Sequence, residues 1–361
     1  MSQPSGSRPE IPVVVLAGFL GSGKTTLLNH LLHRSGGSRI GAIVNDFGAI
    51  EIDAMAVAGA LGDSTVSLGN GCLCCAVDVS ELDGYLARLA HPDTGIDVIV
   101  VEASGLAEPQ ELVRMVLASE QPGIVYGGLV EVVDAAEFDD TRARHPEIDR
   151  HLALADLVVV NKLDRAADAE HVLALVHRLV DRAAVVPATY GRIDPEFLFD
   201  CRPAEERIGQ LSFDDLHDDH DHGHDHGHGD DHAGHLHSGY DSLSFACDEP
   251  LDPRRLMAFL DSRPEGLYRI KGYVDFGLYD VRNRYAVHAV GRFLRFYPEA
   301  WAPGDARLTQ LVLIGSGIDT PALRKELEAC RADADAPHAD EAGMWGVLRY
   351  VPDPDEQDPD F

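Results

Sequence analysis

The chain has 361 residues, with 61 acidic against 30 basic side chains, a formal charge of −31 and a 45% hydrophobic composition. That acidity excludes a protein built to grip nucleic acid, which takes clustered Lys and Arg. The length and apolar content allow two domains with cores of their own. Six cysteines in so long a chain exclude a disulfide-framed secreted fold. No run approaches the ~18 apolar residues of a membrane span, so a cytoplasmic protein is expected, with neither nucleic acid nor membrane among its partners.

Residues 1–10 are polar and are expected to be disordered. Val13–Ala17 then reads as a short apolar strand, followed at once by Gly18-Phe19-Leu20-Gly21-Ser22-Gly23-Lys24-Thr25-Thr26 and the helical run Leu27–Leu32. This is the phosphate-loop pattern in its strand–loop–helix context. Gly18, Gly21, Ser22 and Gly23 let backbone N–H groups wrap the phosphates, and the helix N-terminus adds a favourable dipole. Lys24 is expected to reach the terminal phosphates and stabilise charge there, the Thr25 hydroxyl to hold Mg²⁺, and Thr26 to complete the loop.

Arg39–Val44 reads as a second strand running into the acidic loop Asn45–Asp53, where a nucleotide switch keeps its first mobile segment. Asp46 either contacts Mg²⁺ or is an ordinary loop acid, because residue type alone does not distinguish the two. Ser64–Leu68 is a weaker strand, leading to Gly71-Cys72-Leu73-Cys74-Cys75. Ser80 is expected to cap a helix through Ala90. Asp97–Val101 is a buried strand ending at Glu102, with Ala103-Ser104-Gly105 behind it. An acid at that strand end completes the Mg²⁺ environment or orients the attacking water, and Gly105 lets its N–H approach a γ-phosphate. Lys24, Glu102 and Gly105 are the expected catalytic residues.

Pro109 opens a helix, and strands follow over Ile124–Val133 and Leu157–Val160. The latter ends in Asn161-Lys162-Leu163-Asp164. A carboxylate accepts two hydrogen bonds from a guanine edge, whereas adenine offers no matching donors, so Asp164 is expected to select GTP. A helix over Ala166–Arg182, a strand near Val185 and a base-packing loop at Pro187-Ala188-Thr189 complete the series. Alternating strands and helices predict an α/β fold, the doubly wound parallel sheet of a P-loop NTPase, with nucleotide at the carboxyl ends of the strands.

Composition changes at Ser212. Nine of the eighteen histidines fall between His217 and His237, among them His220, His222, His224, His226 and His228, interleaved with Asp and Gly. No core can form there, so residues 212–241 are expected to be a flexible linker that captures divalent metal weakly. Residues 242–330 read as a small α+β domain. Its strands are Ser242–Ala246, Leu267–Phe276, Tyr285–Val290 and Leu311–Ile314, and its helices begin at Pro253 and Thr320. Arg269, Lys271 and Arg292 either face the first domain or are surface charges, and the latter is expected. Residues 331–361 are expected to be an acidic, largely disordered tail, with a possible edge strand over Met344–Val351.

Cys72, Cys74 and Cys75 crowd into four positions directly behind Gly69-Asn70-Gly71, which speaks against three buried packing residues. A redox pair is the other reading for thiols this close, and the metal reading is preferred. A thiolate cluster favours Zn²⁺, Co²⁺ or Cu⁺; with three local ligands either a fourth comes from elsewhere or one position stays open, and an incomplete site suits a metal that must leave again. Cys201, Cys247 and Cys330 are read as packing residues.

Taken together, the phosphate loop, Asn45-Asp46-Phe47-Gly48, the cysteine motif, Glu102-Ala103-Ser104-Gly105-Leu106-Ala107, Asn161-Lys162-Leu163-Asp164, the histidine-rich insertion and Tyr268-Arg269-Ile270-Lys271-Gly272 resemble the CobW family of metal-handling GTPases over residues 11–330. The resemblance implies a GTPase domain over 11–211, a CobW-type C-terminal domain, and GTP hydrolysis coupled to delivery of Zn²⁺ or Co²⁺ to a client metalloprotein or to cobalamin synthesis through a cobaltochelatase. Asp46 stands where the family often has Glu, and Ala49 where an acid is common. The alternative is a metal buffer or sensor in which the histidine run stores metal and hydrolysis is incidental.

Overall fold

The computed structural model describes residues 10–44, 65–67, 79–105, 107–200, 240–332 and 341–352. Its first half alternates β1 (Ile11–Gly18), α1 (Lys24–His33), β2 (Ile40–Val44), β3 (Thr65–Ser67), α2 (Val79–Ala90), β4 (Val98–Glu102), α3 (Pro109–Leu117), β5 (Ile124–Asp134), α4 (Phe138–Arg144), α5 (Ile148–Leu154), β6 (Leu157–Asn161), α6 (Ala169–Leu179) and β7 (Ala184–Pro187). The seven strands pair in parallel in the order β3-β2-β4-β1-β5-β6-β7.

β4 and β6 are buried at every position, as β-branched strands covered on both faces must be. Alternation along each strand assigns side chains to the two faces. Val14, Leu16, Val100 and Val132 pack on Leu27, Leu28 and Leu31 of α1. Val13, Val15 and Val101 pack on Leu82 and Leu86 of α2 and Leu112 of α3. Val158 and Val160 pack on Phe138, Leu152 and Val176 of the later helices. Each fully buried Leu of α1 contributes about 1.5–3 kcal/mol by its removal from water.

The second half comprises β8 (Asp241–Cys247), α7 (Pro253–Asp261), β9 (Leu267–Val274), β10 (Asn283–Val290), β11 (Phe293–Ala300), β12 (Thr309–Gly315), α8 (Thr320–Ala329) and α9 (Trp345–Leu348). Its five strands are antiparallel in the order β11-β10-β9-β12-β8. One face, through Phe245, Ile270 and Leu313, packs on Leu256 and Leu260 of α7 and Leu323 and Leu327 of α8. Asp252 caps α7 by accepting from the amides of Arg254 and Arg255, with Pro253 in the first turn.

The two sheets share core. Tyr268, Val290 and Ile314 join the cluster around α1, with Tyr268 stacked on Phe197 at 5.6 Å. The Tyr268 hydroxyl donates to the Gly127 carbonyl at 3.2 Å, and His288 Nε2 meets the Tyr126 carbonyl at 2.9 Å. These carbonyls lie where the pairing of β1 with β5 shifts register between Val13 and Val15, the local bend that a bulge produces. Asp156 is buried here, accepting from the Tyr126 hydroxyl at 2.6 Å and the Leu129 amide at 2.9 Å. Burial raises its carboxyl above the usual range against those bonds.

Several elements differ from the expectation. The helix read as capped by Ser80 starts at Val79, so Ser80 lies within its first turn. The helix read over Ala166–Arg182 is shorter, Ala169–Leu179, capped by Asp168 and preceded by a 3-10 turn. The segment read as an edge strand over Met344–Val351 holds the helical turn Trp345–Leu348, which buries Val347 and leaves Trp345 71% exposed. Arg269 is not a surface charge, whereas Arg292, 73% exposed, is one. Arg269 is buried 3.1 Å from Asp200, Lys271 pairs with the same carboxylate, and Arg292 pairs with Asp181. No helix among the described residues is long and apolar enough to cross a membrane.

Candidate nucleotide site

β1 delivers Gly18 to the crevice where strand order reverses, with β4 on one side and β5 on the other. The loop ends at Gly23, whose φ of 104° is left-handed, and a Cβ there would fall 2.3 Å from Asn161 Nδ2. Ser22 and Lys24 are buried. Lys24 Nζ curls over the loop and donates to the carbonyls of Gly18 at 2.9 Å and Phe19 at 3.3 Å. Thr26 is exposed on the first turn of α1.

On the β4 side, the Thr25 hydroxyl donates to Glu102 Oε1 at 2.8 Å. Glu102 is the last residue of β4, in register with Leu16 of β1 and Val44 of β2, and it is 4% exposed. A hydroxyl and a carboxylate meeting beside a phosphate loop form the hard oxygen set that Mg²⁺ accepts, so these residues fit that ion. Gly105 closes against the loop from the same side, where a Cβ would come 2.7 Å from the Leu20 amide nitrogen.

On the other flank, Asn161 is buried and ties two loops together. Its Nδ2 donates to the Ser22 carbonyl at 3.0 Å, and its Oδ1 accepts from the Gly191 amide at 2.8 Å. Lys162, at φ 58°, reaches back to the Gly21 carbonyl and to Asp134, both at 2.7 Å. Asp164 lies exposed on the 3-10 turn Leu163–Arg165, its carboxylate available to a base edge. The loop after β7 is anchored by Ala188, whose amide donates to the Val160 carbonyl at 2.8 Å. Tyr190 follows with a left-handed φ of 54° and 67% exposure.

The structure therefore brings Gly18, Gly21, Ser22, Gly23, Lys24, Thr25, Glu102, Gly105, Asn161 and Lys162 together, and sets Asp164 at the rim. Asp46, Cys72, Cys74, Cys75, Cys201 and the histidines 220, 222, 224, 226 and 228 lie outside the described residues. Among the described residues no cluster of three His, Cys, Asp or Glu could hold a metal ion, and Cys247 and Cys330 are buried, unpaired thiols.

Sequence reasoning overlooked Asp134, Tyr190 and Glu131. Glu131 had left a signal, since it is the one charge within the apolar run Ile124–Val133. In the fold it is 3% exposed, and its Oε2 has no hydrogen-bond partner among the described residues.

A phosphate loop between the central strands of a parallel sheet, an acid and hydroxyl paired beside it, and Asn-Lys-x-Asp on the neighbouring strand end define a P-loop GTPase. A family profile described as CobW/HypB/UreG, nucleotide-binding domain, matches residues 12–187, and one described as the cobalamin synthesis protein cobW C-terminal domain matches residues 240–331. The chain is 31% identical over 372 residues to the zinc chaperone CobW of Pseudomonas aeruginosa, spanning 91% of this chain and 94% of that protein. It is 29% identical over 374 residues to the zinc chaperone CobW of a Sinorhizobium species, spanning 91% and 99%. Among solved structures, Zn(II)-bound YjiA GTPase from Escherichia coli aligns with 90% of this chain and 100% of its own at 23% identity and a TM-score of 0.42. The chain belongs to the CobW family.

Proposed function

We propose that this GTPase is a metallochaperone, which binds zinc at Cys72, Cys74 and Cys75 and delivers it, under control of GTP hydrolysis, to a client metalloprotein. The observation that carries this reading is the near full-length likeness to two proteins named zinc chaperone CobW, over 91% of this chain. The sequence supports it with three thiolates within four residues, a soft-ligand set suited to zinc. Cobalt is a second cargo for the same ligands, with a cobalt-using client such as a cobaltochelatase as its destination.

In this reading the loop N–H groups and Lys24 carry the phosphate charge. Thr25 and Glu102 would hold Mg²⁺, which supplies charge neutralisation at the phosphates. Glu102 also orients the attacking water, the Gly105 N–H faces the γ-phosphate and Asp164 takes the guanine edge. Residues 45–64 and 68–78 leave the carboxyl ends of β2 and β3, in register with the end of β4 at Glu102. That placement supports a metal grip set by the nucleotide. The histidine run between His217 and His237 feeds metal to the thiolates.

Competitive chelator titration with the chain loaded with a non-hydrolysable GTP analogue, and then with GDP, tests the reading. Tighter zinc binding in the GTP-like state is expected. Equal affinities overturn the coupling, and retention of full affinity after Cys74→Ser overturns the site.

A further inference from the structure

We propose that Glu131, a buried acid beneath the phosphate loop, is neutral whenever phosphate is bound, so that nucleotide binding takes up a proton.

Glu131 sits on β5 directly across from Ala17 of β1, one residue before the loop begins. Glu131 lines a cavity of about 260 Å³ whose walls include Phe19 and Leu20 of the loop and Phe138 of α4. The side chain is 3% exposed and its Oε2 finds no hydrogen-bond donor among the described residues. An ionised carboxylate left so would be costly, whereas the neutral acid is tolerated.

The charged groups facing it are few. From α1, Lys24 is the cation whose field favours the ionised form. Further along β5, Asp134 is held by Lys162 from the end of β6. Glu137 and Arg144, at the two ends of α4, line the cavity, and the His145 ring lies tilted against Phe19, centroids 4.4 Å apart. β1 and α5 bring Ala17 and Ile148, neither of which titrates. Burial outweighs Lys24 and pushes the carboxyl up to about 8. Bound phosphates then add negative charge above Glu131 and engage the Lys24 ammonium, and both changes disfavour the ionised carboxyl further.

The sign follows. In the empty site the carboxyl ionises as pH rises through about 8, so nucleotide must pay for its reprotonation on the alkaline side. With the filled-site carboxyl neutral throughout, GDP binding weakens about fourfold between about pH 7 and about pH 8.5, and takes up most of one proton at the upper value.

GDP is the probe, because it is not hydrolysed. Calorimetry in two buffers of different ionisation enthalpy measures the proton uptake of the full chain at each pH. Glu131→Gln preserves the shape of the neutral acid, so it should show the same Kd at both pH values, apart from guanine's own titration shared with wild type. No uptake by wild type at about pH 8.5 overturns the proposal without any variant. Equal uptake and an equal Kd ratio in wild type and E131Q also overturn it. Uptake present in wild type and lost in E131Q supports it.

Discussion

Asn161 is the residue whose replacement tests the site most directly. Truncation to Ala removes both of its buried bonds, to the Ser22 carbonyl and from the Gly191 amide, and strands the two backbone groups. Losing two net hydrogen bonds and leaving part of that polar surface unpaired costs about 2–4 kcal/mol. Because Ser22 lies in the phosphate loop and Gly191 in the loop after β7, the damage is expected to fall on nucleotide binding as well as folding. GDP affinity should drop by about tenfold to a hundredfold, with roughly 1.4 kcal/mol to each factor of ten. Denaturant unfolding and GDP titration of the same preparation measure both effects. Asn161→Asp adds a second arm, since it keeps an acceptor for Gly191 but sets a carboxylate oxygen against the Ser22 carbonyl, and it should bind GDP no better than the Ala variant. An Asn161→Ala protein that unfolds at the wild-type midpoint and binds GDP with wild-type affinity would refute the reasoning.

Asp164→Asn exchanges two acceptor oxygens for one acceptor and one donor, so GTP should weaken by about a hundredfold, as charge-assisted bonds are lost, while xanthosine triphosphate binds more tightly than to wild type; competitive titration with both nucleotides checks it. Gly23→Ala must adopt a left-handed φ with its Cβ 2.3 Å from Asn161 Nδ2, and should abolish GDP binding while leaving the second sheet folded, as read by nucleotide titration and circular dichroism. His288, packed between the sheets, has its imidazole pushed down to about 4, chiefly by burial. Its stabilising contribution is therefore complete above about pH 6.5 and lost as pH falls towards 4, by up to about 3 kcal/mol. His288→Gln should remove that acid slope in denaturant unfolding measured across the interval.

The phosphate loop and the strand ends were legible because local sequence dictates them. Gly23 needs its left-handed φ whatever surrounds it, and buried runs such as Val98–Glu102 have few other fates. α4 and α5 were not legible. Each is seven residues long, α4 buries Phe138 and α5 buries Ile148 and Leu152, so neither offers the repeating apolar face that marks a helix. β11 was missed for a related reason, since Pro298 and a half-exposed alternation blur it, and it proves to be the edge strand on which a proline is tolerated. Val347 in the segment read as an edge strand looked β-like, but a single buried contact of a helical turn satisfies it. Arg269 was misjudged because its partner, Asp200, lies 69 residues away across the insertion, and only the fold brings the two together.

The shared core has a practical meaning for modularity. Tyr268, Val290 and Ile314 fill the same apolar cluster as Leu27, Leu28 and Leu31 of the helix that starts the nucleotide site. A chain cut before residue 240 would expose that side of the motor, together with Asp156 and the carbonyls of Tyr126 and Gly127, to solvent. The GTP-binding half is thus not a detachable engine to which a delivery arm was bolted. Its second sheet is seated at the base of β5, the strand whose far end pairs beside Gly18 of the phosphate loop, and a swap of C-terminal halves between relatives would have to carry this seam along with it.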